Sequence, residues 1–300
     1  VNRKVSVPSR SKTTLDSVDG DLMVGKGAVI EGTGTPPTVK VSGTAYCEGD
    51  NIFECNISAE NLEAKDSVTV HGNLEIENNV EVEDGRLEVY GKMTARHLDV
   101  DEALYVSRDL TVEEADIGGS LTVDGNLKAE DIDVGGSLKA RGETTAEKID
   151  VGGSVSIESK VDIKKLDVGG TAKVKGGRIG EIDVGGSFES SDLLEFDSID
   201  VGGTVKISNK CKGRKIDVGG SFRVEGDLTF EDIDVGGKVE IKGSGVGDQI
   251  DVGGTLEVGE SLKLSGTLDV GGKVEIGSEI SAGNIEIGGV LRARKVLAED

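Results

Sequence analysis

Between Ile132 and Lys148 the inward-type residues fall in three pairs, Ile132/Val134, Leu138/Ala140 and Thr144/Ala146, each with one residue between its members. Such an i, i+2 pair is the buried half of a short strand, because alternate strand residues face opposite sides. The pairs begin six residues apart, then six, and the next opens five residues on at Ile149. Three short strands, three corners and about 17 residues per turn predict an all-β fold: a single-stranded, triangular parallel β-helix, or solenoid.

The pairs repeat as columns. The first runs through Ile149/Val151, Leu166/Val168, Ile182/Val184 and onward to Leu268/Val270. The second holds Leu121/Val123, Val155/Ile157, Phe222/Val224 and Val274/Ile276, and a looser third holds Leu127/Ala129, Leu194/Phe196 and Leu262/Leu264. β-branched residues suit these places because they pack flat on the same residue one turn away. After the first pair comes a Gly-Gly corner, in eleven copies from Gly118 to Gly288 at spacings of 16 to 18 residues. The column reaches back through Leu98, Val80 and Leu62, and less regularly through Leu22/Val24, Val39/Val41 and Ile52, past a wider turn at Pro36-Pro37. This predicts fifteen or sixteen turns over residues 15–291, irregular over 15–60 and regular over 61–291. Residues 1–14 read as a disordered or extended basic tail, and 292–300 as a C-terminal tail without an evident capping helix.

Composition narrows the classes. With 46 glycines, no tryptophan and 3% aromatic residues the chain is unlike a compact globule, yet 35% hydrophobic content argues against a disordered acidic segment. Glycine does not recur at every third position, so collagen is excluded. A net charge of −23 argues against a nucleic-acid partner. No run of 18 apolar residues encodes a spanning helix. The sequence as it stands shows no secretory signal, though a removed one leaves no trace. Cys47, Cys55 and Cys211 do not form a disulfide framework, and a reducing compartment is the simpler reading.

The stretch VDGDLMVGKGAVIEG at residues 18–32, the stacked three-pair turns and the basic N-terminal segment together resemble the bactofilins, polymer-forming cytoskeletal proteins. The resemblance covers nearly the whole chain as pattern. It implies a right-handed β-helix whose copies stack end to end without nucleotide, in the cytoplasm and often near a membrane. Two departures stand out: the array is longer and more regular than the usual core, and its last turn has no aromatic residue.

Four features are candidates for chemistry. The Gly-Gly corner reads as a tight bend that uses positive φ. The residue between the first pair is acidic on fourteen successive turns, including Asp133, Asp150, Asp167, Asp183, Asp200, Asp217, Asp234 and Asp251. Like charges stacked about 4.8 Å apart repel by ~1 kcal/mol in bulk water and more near a protein surface. The favoured reading is that each carboxylate braces its own Val-Gly-Gly corner, the alternative a face that collects cations. Open ends are the strongest signal, since unpaired strand edges template further pairing. The expected contacts of a homopolymer are Leu22, Val24, Val29 and Ile30 at one end, and Ile287, Val290, Leu291, Val296 and Leu297 at the other. Last, Arg3, Lys4, Arg10 and Lys12 offer weak contact with an anionic membrane or a partner.

Catalysis is not expected: His71 and His97 show no evident acid partner, and a reaction centre would break the period locally. No cofactor or metal is called for. The function read from sequence is a structural filament former, with an extracellular or cell-surface filament or adhesin-type rod as the alternative and a carbohydrate or acyl-transfer enzyme furthest behind.

Overall fold

The computed structural model describes residues 3–298; Val1, Asn2, Glu299 and Asp300, parts of the two expected tails, lie outside the described residues. The chain divides into two compact units, Val1–Gly152 and Gly153–Asp300. Each is an all-β parallel solenoid, with no helix among the described residues. In both units a strand pairs in parallel with its equivalent one turn on, as in Leu62 with Val80, Leu98 with Ala115, Ile199 with Ile216 and Ile233 with Ile250. Three strand columns result. The described residues form about 17 turns of about 17 residues, slightly more than the sequence pattern predicted.

The extra turn lies at the beginning. Residues 4–14, expected as part of a tail, belong to a turn of the solenoid: Lys4–Val7 pairs with Asp21–Val24, and Lys12–Leu15 pairs with Val29–Gly32. Val7 and Val18 are inward and buried there. Lysines and threonines filled the outward places and hid the pattern, and no Gly-Gly corner marks the turn. At the far end Lys295–Ala298, also expected as tail, pairs with Glu279–Ala282. The wider turn at Pro36-Pro37 is present: Leu22 pairs with Ala45, a step that accommodates residues 32–38 as a small outward loop closed by a Thr33–Thr38 bridge.

Inside each unit the three columns fill a continuous apolar core. Ile132, Val134, Ala140, Ile149 and Val151 are fully sealed in the first unit, as are Ile216, Phe222, Val235 and Ile241 in the second. Among the described residues, one place in this core carries an unsatisfied polar atom. Thr144 is buried in the third column above Leu127, and its hydroxyl has no hydrogen-bond partner.

The Gly-Gly corners work differently from the expectation. None of the corner glycines from Gly118 to Gly289 has φ in the left-handed region. Their constraint is axial. A Cβ on Gly135 would sit 2.3 Å from the Gly118 carbonyl oxygen, and one on Gly136 would sit 2.5 Å from that of Gly119. The same distances recur in the second unit, 2.6 Å for Gly236 above Gly219 and 2.3 Å for Gly254 above Gly237. The corner amides point along the same axis, with Gly135 N donating to Ile117 O at 2.9 Å and Gly136 N to Gly119 O at 2.9 Å. Glycine is therefore required because one corner lies directly on another. Left-handed glycine does matter at Gly176 and Gly177, with φ of 138° and 132°, where a turn is one residue short and the register shifts after Ile157.

Two outcomes follow from this packing. Gly135→Ala is expected to lower stability by about 1–3 kcal/mol, the usual cost of forcing an atom into filled space. Urea unfolding and amide exchange at the corner check it; an unchanged midpoint would show that the corner can part without penalty. Thr144→Val should instead stabilise by about 1–2 kcal/mol, since it removes a buried hydroxyl that bonds to nothing. A lowered unfolding midpoint in that variant would count against an unsatisfied site.

Candidate functional site

The first outward column is built by strand register. In the Val1–Gly152 unit Glu63, Glu81, Asp99, Asp116, Asp133 and Asp150 pair successively. In the Gly153–Asp300 unit the run is Asp167, Asp183, Asp200, Asp217, Asp234, Asp251, Asp269 and Glu286. Asp150 and Asp167 are half-buried and the others exposed.

The bracing role expected for this column is not what the structure uses. Among the described residues no aspartate of the column accepts a hydrogen bond from its own corner. Bracing lies at another corner, just before the third strand, where a side-chain oxygen accepts the backbone N–H one turn above. Asn56 accepts from Asn73 at 2.8 Å and Asn73 from Lys92 at 2.9 Å. Asp109 accepts from Asn126 at 3.1 Å, Asn126 from Glu143 at 3.0 Å, and Asp227 from Ser244 at 2.9 Å. A donor 17 residues downstream, or 19 for Asn73, was the available sequence signal, and reading single turns overlooks it.

The acidic column thus retains its repulsion. In the first unit Glu81, Asp99, Asp116 and Asp133 line a groove of about 690 Å³ with His97, Glu114, Asp131 and Lys148. Partial burial there, reinforced by the neighbouring acids, raises the pKa of Asp99 and of Asp133 above the ordinary aspartate value. Glu63 shifts the same way for the same reasons. Lys148, 3.9 Å from both Asp131 and Asp150, offsets a little of this. Among the described residues no group of three or more His, Cys, Asp or Glu side chains is arranged to hold a metal ion.

The second outward column behaves oppositely. In the Gly153–Asp300 unit Glu189 lies between Lys173 at 3.4 Å and Lys206 at 3.5 Å, and Glu240 meets Arg223 at 3.1 Å. Hydrogen bonding to Lys242, together with Lys238 and Arg223, holds Glu240 below the ordinary glutamate range. Both histidines also have acid partners that reading one turn at a time misses: His71 Nδ1 lies 2.8 Å from Glu54, and His97 Nε2 lies 3.5 Å from Glu114. Each acid is 17 residues from its histidine, so register alone names it.

The expected end contacts divide. Leu22, Val24 and Ile30 are buried beneath the first turn, and Val29 is half-buried, so they are not an end surface. The residues of the last turn are open: Val290, Val296 and Leu297 are exposed, and Leu291 and Ile287 half-buried. One turn earlier Val270, Val274 and Ile280, the partners of Ile287, Leu291 and Val296, are sealed at 0% exposure, whereas Val290 and Leu297 pair with the half-buried Lys273 and Ser281. Of the basic residues, Arg3 faces Asp19 at 3.7 Å and Lys12 faces Glu31 at 2.8 Å, while Lys4 and Arg10 are exposed on the ordered first turn. Cys47, Cys55 and Cys211 are unpaired and buried, and burial pushes the first two thiols up to about 12 and about 11. No helix among the described residues is long and apolar enough to cross a membrane.

Asp133 gives the column a measurable sign. Its raised folded pKa means that folding favours the protonated form, so its contribution is most favourable below pH 3.8 and is lost as pH rises through the raised value. Asp133→Asn should therefore stabilise the protein at neutral pH, with the gain fading as pH falls through the carboxylate range. Paired denaturation curves across pH test this, and a destabilised variant at pH 7 would restore a bracing role. In comparisons with known proteins, no protein-family model, curated protein or solved structure matches the chain.

Proposed function

We propose that the chain is a structural, filament-forming protein of bactofilin-like kind, in which copies stack end to end without nucleotide. Its winding is taken as triangular and right-handed. The observation that carries this reading is the change in burial over one turn. Ile285, Ile287, Leu291 and Val296 occupy the same inward columns as four sealed residues, yet they are only partly covered, with Val296 46% exposed.

The strand edges support the same reading. Asn284–Ile287, Val290–Arg292 and Lys295–Ala298 pair on one side only among the described residues. So do Lys4–Val7 and Lys12–Leu15 at the other end, where Val5 and Leu15 are half-buried. A second copy laid on such a turn would continue both the backbone ladder and the apolar column. The unpaired, buried thiols agree with assembly in a reducing compartment.

Negative-stain electron microscopy of the purified protein, without nucleotide, should show filaments many subunits long. Val296→Asp combined with Leu291→Asp should reduce them to single subunits, since each charge would have to be buried at the joint at a cost of roughly 2 kcal/mol or more. Single subunits of the unaltered protein at all concentrations, or filaments that survive both charges, would refute the stacking.

A further inference from the structure

Aromatic residues are scarce in this chain: five Phe, three Tyr and no Trp. All five phenylalanines, Phe53, Phe188, Phe196, Phe222 and Phe230, are in the core. Against that economy, one outward patch of the Val1–Gly152 unit gathers His71, Tyr90 and Tyr105. Register brings them together, since Val70 pairs with Val89, placing His71 beside Tyr90, and Glu88 pairs with Tyr105. The rings meet edge to face, His71 to Tyr90 at 5.4 Å between centroids and Tyr90 to Tyr105 at 5.6 Å.

Every ring in the patch is tied to a carboxylate. His71 Nδ1 contacts Glu54 at 2.8 Å, the Tyr90 hydroxyl donates to Glu88 at 3.0 Å, and the Tyr105 hydroxyl donates to Asp124 at 2.9 Å. Two of these acids also face a group that can carry positive charge: Glu54 has His71, and Asp124 has Arg141. Glu88, between the two tyrosines, has no cationic partner among the described residues. Cross-strand ring contacts account for ring pairing, worth about 0.5–1.5 kcal/mol. They do not account for Tyr90 remaining 47% exposed beside an acid without a counter-charge.

We propose that this patch docks an arginine-bearing basic segment of a partner protein, with a guanidinium over the Tyr90 ring and paired to Glu88. The chain supplies the precedent at the patch's own edge, where Arg141 already meets Asp124 beside Tyr105. A planar guanidinium can stack on a ring face and give a forked pair of hydrogen bonds to a carboxylate, which a lysine ammonium cannot. The net charge of −23 draws a basic segment in from a distance. A sugar chain fits less well, because rings inclined at 69° and 64° offer no coplanar platform.

The absence of tryptophan makes the test direct: tyrosine fluorescence comes from Tyr46, Tyr90 and Tyr105, two of them in the patch. A hexa-arginine peptide titrated into the full chain at about 0.15 M salt, where long-range attraction is screened, should change that fluorescence and give a calorimetric isotherm. Tyr90→Ala with Tyr105→Ala should weaken binding about tenfold and Glu88→Gln several-fold, while Tyr90→Phe keeps most of it. Hexalysine should bind several-fold more weakly than hexa-arginine. Asp200→Asn with Asp217→Asn, in the other unit, should change nothing. Should the double alanine variant be misfolded by circular dichroism, Glu88→Gln and Tyr90→Phe decide alone. The proposal fails if Glu88→Gln binds like the unaltered protein, if the Asp200/Asp217 pair costs as much, if hexalysine matches hexa-arginine, or if an N-acetylglucosamine hexamer binds and hexa-arginine does not.

Discussion

The direct axial contact of one corner backbone on the next governs the turns from Gly118 onward. Where Gly135 lies over Gly118 and Gly136 over Gly119, no side-chain atom fits between the turns. Corner amides and carbonyls instead bond along the axis. With the corner held at that separation, each turn must return to the same place after nearly the same number of residues. Inward side chains then land on their equivalents, which is why Ile132 pairs with Ile149 and Val134 with Val151, all four sealed from solvent. The corner permits the core as much as the core holds the corner.

The same register that aligns the core aligns the surface. A stack without lateral slip cannot stagger like charges, so an acid placed once per turn becomes a continuous column. The protein meets that constraint in two ways. Along the first column the acids lie mostly at the exposed surface, and partial burial, reinforced by the neighbouring acids, raises the pKa of Asp99 and of Asp133. Along the second, signs mix: Glu189 sits between lysines of the two neighbouring strands, and Glu240 meets Arg223 of a neighbouring strand and Lys238 of its own. Single surface pairs of this sort contribute little, roughly 0–1 kcal/mol, so their main effect is to let the stack proceed without further repulsion.

Much of this was legible in the sequence, and the limits have physical causes. The inward pairs and the acidic column follow from period two within a strand and period 17 between turns, and both are visible in one dimension. What escaped was whatever depends on the contact between turns. The glycines suggested positive φ because a lone corner gives no hint of the carbonyl 2.3 Å away. Asp133 suggested a local brace because its bonding possibilities within one turn are easy to enumerate, whereas the Asn56, Asn73 and Asn126 bonds each reach another turn. The first turn escaped for a different reason: Lys4, Lys12 and Thr14 occupy outward places, and half-buried Val5, Thr13 and Leu15 make too weak a pattern to outweigh them.

A core filled turn by turn also restricts where function can lie. Each inward place of a middle turn is closed by the turns on either side, so a substitution there disturbs three layers. An outward residue touches its two column neighbours and solvent, and can change while the winding stays intact. The terminal turns combine both conditions, since their inward residues are apolar by column yet uncovered by position. Leu291 and Val296 are therefore under the packing rules of the core and the exposure of a surface at once. Tyr90 and Glu88 lie at the opposite extreme, on an outward face that the winding leaves free to vary. The proposed self-association at Leu291 and Val296 and the proposed recognition at Tyr90 and Glu88 can thus be changed separately, because they rest on different residues of different units.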